Sequence, residues 1–430
     1  MRPVRWRVAG ISVGLVLFAV ALVFAYLVGR AQSPAAIEVA PKEDREALVL
    51  YAEALRTVRE EYVDHGATDP ERITRGAVEG MLDTLGDDGH TRFLTAEEME
   101  ETREGLGGEY VGVGVQLEEQ DDGEVSVLSP LAGSPAERAG VRPGDVVVGI
   151  GDWNARGAGV EEVVARIKGP EGTEVVLLVE RENSGTSRER SFDLSRETID
   201  APAASWAPVG PDGETAMVSL SSFTEDAAAE LRSAFGEAER EGATSYVLDL
   251  RGNPGGELEE AVAAAALFLD GGQTVYVRED AGGERERIEA ADPTPFSGGD
   301  EAPVSAPLVV LVDGGSASSS EILAGALKDN GRAHVVGQRT AGTGTVLAEF
   351  PLEDGSSMLL GVAEWLTPGG DSIRDTGITP DVEAALREGQ LPLLPEQARG
   401  LGVEEISEAD AQLAAAVTGA DGPQRSSRGS

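Results

Sequence analysis

The hydrophobic pattern changes character along the chain. Residues 8–28 (VAGISVGLVLFAVALVFAYLV) are a 21-residue apolar run without a charge, long enough to cross a bilayer as one helix. A short Pro/Ala linker follows at 31–42. From Glu43 the apolar residues return at helical spacing (Leu48, Tyr51, Leu55, Val58, Tyr62) and predict an amphipathic helix. A second helix is predicted after Asp69-Pro70, carrying Ile73, Ala77, Met81 and Leu82, with the proline suited to its first turn. Between 199 and 385 short apolar runs at 216–220, 246–250 and 307–313 alternate with helical stretches, an α/β pattern. After Arg387 the chain turns acidic and alanine-rich and ends in Ser, Gly and Arg, so 388–430 is expected to be a low-complexity tail.

Charge gives the apolar run a direction. Arg2, Arg5 and Arg7 precede it, whereas only Arg30 follows closely, so the N-terminus is expected in the cytoplasm and the remainder outside. A cleaved signal peptide is the rival reading. The run is longer than a usual signal core, which favours an uncleaved anchor and membrane attachment through one helix. With 35 Lys and Arg against 77 Asp and Glu, the net charge of −42 argues against nucleic acid as a partner. There is no cysteine, and the three histidines (His65, His90, His334) are too scattered for a cluster. No metal and no cofactor are expected.

Two turns carry candidate chemistry. The strand at 307–313 runs through a turn of small residues into a helix, presenting Ser316, Ser318, Ser319 and Ser320. Such a turn aims a hydroxyl and free backbone N–H groups at one point. The strand at 246–250 ends in Arg251-Gly252-Asn253-Pro254-Gly255-Gly256 before another helix, a turn suited to an anion or oxyanion.

The segment GSASSSEI from Gly315 resembles the nucleophile region of the carboxyl-terminal processing (tail-specific) serine peptidases. The run at 249–256 is similar to their DLRxNPGG motif, Trp365-Leu366-Thr367-Pro368-Gly369-Gly370 to a YxTPxG element, and Gly377-Ile378-Thr379-Pro380-Asp381 to GITPD. Ser134-Pro135-Ala136-Glu137-Arg138-Ala139-Gly140-Val141-Arg142-Pro143-Gly144-Asp145 resembles the helix–turn–strand signature of bacterial PDZ domains. The resemblance implies an α/β peptidase core of the ClpP/crotonase-like strand–helix kind at 199–385. An inserted PDZ domain is implied at 107–183, a helical segment at 43–106 and a membrane anchor at 8–28. It makes Ser318 the nucleophile, with N–H groups of Gly256 and Ser319 as oxyanion donors. It also makes Val111, Gly112, Val113, Gly114 and Val115 the loop that holds a peptide carboxylate while the peptide adds a strand. The implied partners are unfolded or tagged protein C-termini.

One part of the resemblance breaks. These peptidases use a lysine base 25 residues after the serine, in a TFGKGTVQ-like stretch; here that stretch reads TAGTGTVL, with Thr343 at the lysine position and Leu347 in place of glutamine. A threonine hydroxyl has no useful basicity near neutral pH. Lys328 lies ten residues after Ser318 on the same predicted helix, about 15 Å along its axis. Tricorn-type relatives of this core use a histidine from the segment before the PDZ domain and an acid near the GxxPD element. That resemblance places the base at His90, in Leu85-Gly86-Asp87-Asp88-Gly89-His90, and the acid at Asp375. The sequence thus leaves two readings, a membrane-anchored extracytoplasmic serine endopeptidase and an inactive tail-binding pseudo-peptidase.

Overall fold

The computed structural model describes residues 41–87, 90–107, 109–120, 123–131, 133–183, 186–200, 202–210, 213–292, 306–387, 390 and 392–420. The chain divides into two units at Thr84. In the first, the expected helices run Lys42–Glu61 and Pro70–Asp83. Asp69 caps the second by accepting from the Arg72 N–H, with Pro70 in the first turn where its missing N–H costs nothing. Residues 85–106, expected with these helices, belong to the second unit. Among the described residues no helix is long and apolar enough to cross a membrane. The expected span at 8–28 lies outside the described residues.

The core of the second unit is a six-stranded sheet in the order Ala204–Val209, Thr215–Leu220, Ser245–Asp249, Leu308–Val312, His334–Gly337, Val382–Glu383. Its first pair is antiparallel and the remainder parallel. The strand LVVLV at 308–312 is buried throughout, as parallel strands covered on both faces are. Successive side chains serve opposite cores: Leu308, Val310 and Val312 join one cluster, Val309 and Leu311 the other. The first cluster is covered by the helices Ala227–Arg240, Leu258–Ala265 and Ser319–Asp329.

The second cluster is covered by the stretch expected to be a tail. Pro395–Ala398, Val403–Ala409 and Ala411–Ala420 are helices. Ala398, Ile406, Leu413, Ala416 and Val417 are buried against Val309, Leu311 and Val336. The 388–430 boundary is therefore corrected: this segment is part of the core up to Ala420, and 421–430 lie outside the described residues. Arg251 fastens it. Its guanidinium binds Asp249 and, through Nη1, Asp410 Oδ2 at 2.8 Å, with both ends of the Arg251–Asp410 pair at most 1% exposed. Burial works against the charge on Arg251, and Asp249 and Asp410 more than restore it.

A second, five-stranded sheet builds one wall of the site. Ser357–Leu366 pairs with Arg92–Leu94, with Thr345–Pro351 and with Thr274–Asp280, which in turn pairs with Arg285–Glu289. One long strand thereby joins the turn that ends at His90 to the loop that bears Thr343.

The inserted domain is a sheet in the order Val115–Glu119, Val125–Pro130, Val146–Ile150, Glu174–Asn183, Thr186–Ser195, with helices Pro135–Ala139 and Val160–Ile167. The signature at 134–145 is a list of end signals. Ser134 caps the helix, Pro135 opens it, and Gly140 closes it at φ 88°. Asp145 then pairs with Arg181 across the sheet, both buried. The domain extends past the expected limit at 183, because Thr186–Ser195 is its last strand, paired with Glu174–Asn183 along its length. Glu109–Gly112 and Glu197–Asp200 form the antiparallel ribbon that joins it to the core.

Candidate active site

Ser318 stands at the junction of the strand Leu308–Val312 and the helix Ser319–Asp329. Its backbone is at φ 52°, ψ −116°, a strained conformation for a residue with a side chain. The neighbouring serines explain how the strain is held. Ser316 Oγ donates to the Leu250 carbonyl at 2.8 Å, and Ser320 Oγ to the Asn253 carbonyl at 2.9 Å. Of the four serines it is Ser318 whose hydroxyl makes no hydrogen bond among the described residues, which leaves it available to substrate.

The glycine turn lies directly against it. A Cβ on Gly255 would fall 2.8 Å from Ser318 Cβ and 3.0 Å from the Ser319 amide; one on Gly256 would fall 2.3 Å from the Phe223 carbonyl oxygen. Only glycine fits at either position. The two expected oxyanion donors are tied together, since Ser319 Oγ donates to the Gly256 carbonyl at 3.0 Å. In the bridge between Phe223 and Gly256 the Phe223 N–H donates to the Gly255 carbonyl and the Glu257 N–H to the Phe223 carbonyl, so the Gly256 N–H takes no part in it. The Ser319 N–H lies in the first turn of its helix, where no carbonyl of the helix reaches it.

A residue that the sequence reading passed over holds this arrangement. Glu321 is fully buried and accepts from the Ser318 N–H (3.0 Å), the Gly342 N–H (2.8 Å), the Thr343 N–H (2.8 Å) and the Thr340 hydroxyl (2.5 Å). Burial pushes its carboxyl above the ordinary range, and these four bonds work against the rise. The signal was present as a serine followed three residues later by glutamate at a helix start. One carboxylate thus clamps the nucleophile's own amide to the loop at 340–343. Thr343 is buried in that loop, and its carbonyl accepts from Trp365 Nε1 at 2.8 Å. Lys328 is tied instead to the Thr379 carbonyl and to Asp381, at the far end of the helix.

Ser318 and His90 line the same cavity, of about 920 Å³, together with Gly256, Thr345, Leu347 and Trp365. No hydrogen bond joins the two side chains. Asp375 is not among the lining residues. It is exposed, at φ 59°, with its N–H donated to the Gly342 carbonyl. The carboxylate that faces His90 is Asp87, with Oδ1 3.7 Å from His90 Nδ1. Among the described residues no group of acidic or histidine side chains could hold a metal ion.

In the PDZ domain Val111 and Gly112 lie in the joining ribbon, and Val113 and Gly114 form the turn into Val115–Glu119. The Val113 carbonyl accepts from the Ala136 N–H, and that of Gly114 from the Leu131 N–H and Ser134 Oγ. The turn is held from its carbonyl side. Val115–Glu119 is an edge strand, and the helix Val160–Ile167 lies beside it. An open edge next to a helix is the geometry into which a peptide adds a strand.

A strained serine, a facing glycine turn with free amides, and a PDZ domain on one α/β core define a PDZ-bearing serine peptidase. Residues 214–384 match peptidase family S41, and residues 126–181 match the PDZ domain. The chain is 36% identical over 328 residues to carboxy-terminal processing protease CtpA of Bacillus subtilis (strain 168), covering 76% of this chain and 67% of that protein. It is 34% identical over 379 residues to a probable CtpA-like serine protease of Staphylococcus aureus (strain COL), covering 88% and 72%. A solved structure of a putative S41 protease from Bacteroides fragilis NCTC 9343 shares the fold, with TM-score 0.52 and 20% identity, over 77% of this chain and 89% of that one. The chain belongs to peptidase family S41, among its PDZ-bearing carboxyl-terminal processing serine peptidases. An inactive binding protein is not the favoured reading.

Proposed function

We propose that this peptidase grips protein C-termini with its PDZ domain and cleaves nearby peptide bonds with Ser318 as nucleophile and His90 as general base. The observation that carries the reading is the cavity shared by Ser318 and His90, at a site where the position expected to supply a lysine holds Thr343. As Ser318 Oγ attacks the scissile carbonyl carbon, its proton passes to His90. The oxyanion that forms is met by the N–H groups of Gly256 and Ser319. The same proton then goes to the departing amine. Water repeats the sequence on the acyl-enzyme, with His90 taking its proton and returning it to Ser318. The distance between the two side chains closes when substrate is bound, as hydrogen bonds of catalytic groups commonly do.

C-terminal recognition is tested on the full chain with an unstructured protein substrate ending in an apolar residue. Its cleavage is expected to slow at least about tenfold when the terminal carboxylate is amidated, because the amides of the Val113–Val115 turn lose their anion. Equal rates for the two substrates would remove the carboxylate from recognition.

The apolar run at 8–28 and the arginines before it support a single anchoring helix with the body outside the cytoplasm. Protease added to cells with a permeabilised outer envelope layer and an intact inner membrane is expected to digest the body. A protected body would reverse the topology.

A further inference from the structure

Three contacts converge on Asp87, whose side chain is only 10% exposed. Thr91 Oγ1 donates to its Oδ2 at 2.7 Å, while Arg374 Nη2 and His90 Nδ1 each stand 3.7 Å from Oδ1. Thr91 Oγ1 also accepts from the Gly361 N–H at 3.0 Å, which ties this turn to the strand Ser357–Leu366. Gly361 leaves the room the carboxylate occupies. A Cβ there would lie 3.0 Å from Asp87 Oδ2 and 3.3 Å from Thr345 Cβ. Asp87 is therefore lodged behind the cavity wall, beside Thr345, which lines the cavity with Ser318.

We propose that Asp87 is a positioning residue for the reaction, holding the His90 ring by its Nδ1 edge so that Nε2 is presented to Ser318. The proposal rests on the reading of His90 as base. When Nε2 takes the Ser318 proton, the imidazolium forms with a carboxylate already facing its Nδ1–H, which stays on the ring. Arg374 Nη2 faces the same Oδ1, while its Nη1 reaches Glu364 at 3.4 Å. The other charged groups around the cavity are Arg92 and Arg278 and the carboxylates Glu257, Glu259 and Glu349. Burial and the neighbouring carboxylates Glu259, Glu225 and Glu260 raise Glu257. The carboxylate that faces the imidazole is Asp87.

The test compares Asp87→Asn, Thr91→Val and His90→Ala with wild type, measuring kcat and KM separately on an unstructured protein substrate, with thermal melting as a check on folding. Asp87→Asn is expected to lower kcat at least about tenfold at little change in KM, because the imidazole loses its anionic partner in the transition state while the substrate-binding surface is unchanged. Thr91→Val, which frees the carboxylate without removing it, is expected to move kcat in the same direction by less and serves if Asp87→Asn fails to fold. A wild-type kcat in folded Asp87→Asn, with His90→Ala inactive, overturns the proposal and leaves His90 as base. A wild-type rate in His90→Ala overturns the reading of the base itself.

Discussion

Ser318→Ala and His90→Ala are each expected to lower kcat/KM by at least about a thousandfold, and the double substitution to lower it no further. The reasoning is structural. The Ser318 hydroxyl is the one in its turn left without a hydrogen bond, held at φ 52° by its neighbours. Without a base that hydroxyl is a weak nucleophile, and without the nucleophile the base has nothing to activate, so the two losses are one loss. Thr343→Ala should change the rate by no more than about twofold, since Thr343 is held through its backbone. Losses that multiply in the double variant would show that His90 acts apart from Ser318.

Asp410→Ala is expected to lower stability by about 3–5 kcal/mol, the usual cost of leaving a buried charge without its partner. Arg251 keeps Asp249 but loses the bond to Asp410 Oδ2, and the Leu393 and Leu413 N–H groups lose their acceptors as well. In a domain of this size the melting temperature should fall by about 10 °C. Because Arg251 leads directly into the glycine turn, residual activity should fall along with stability. An unchanged melting temperature would mean that the C-terminal helices dock on their apolar faces alone.

The parts of the fold written in local end signals were legible. Ser134, Pro135 and Gly140 announce a helix, and the alternation of apolar runs with helical stretches announces the sheet. The C-terminal helices were not legible, because their buried face is largely alanine and reads as low complexity. The strand at 308–312 did hold the clue. Five apolar residues in a row need cover on both faces, and only the C-terminal segment was left to supply the second. The last PDZ strand was missed for a similar reason, since TSRERSFDLS is mostly polar and owes its place to pairing with Glu174–Asn183. Ser318 and the glycine turn could be read because strand-to-helix turns carry their chemistry locally. The acid could not. Asp375 and Asp87 are both near the right motifs, and only the tertiary structure shows that one faces water while the other faces the imidazole.

The Glu321 clamp separates the path of its loop from the side chains the loop carries. The loop at 340–343 is fastened through the Gly342 and Thr343 amides and the Thr340 hydroxyl, so its path does not depend on what side chain residue 343 carries. An amine grafted there would start from the same backbone point, while the imidazole arrives from a different segment altogether. A substitution at 343 can therefore add or remove a functional group at this wall of the site without rebuilding the turn that holds Ser318.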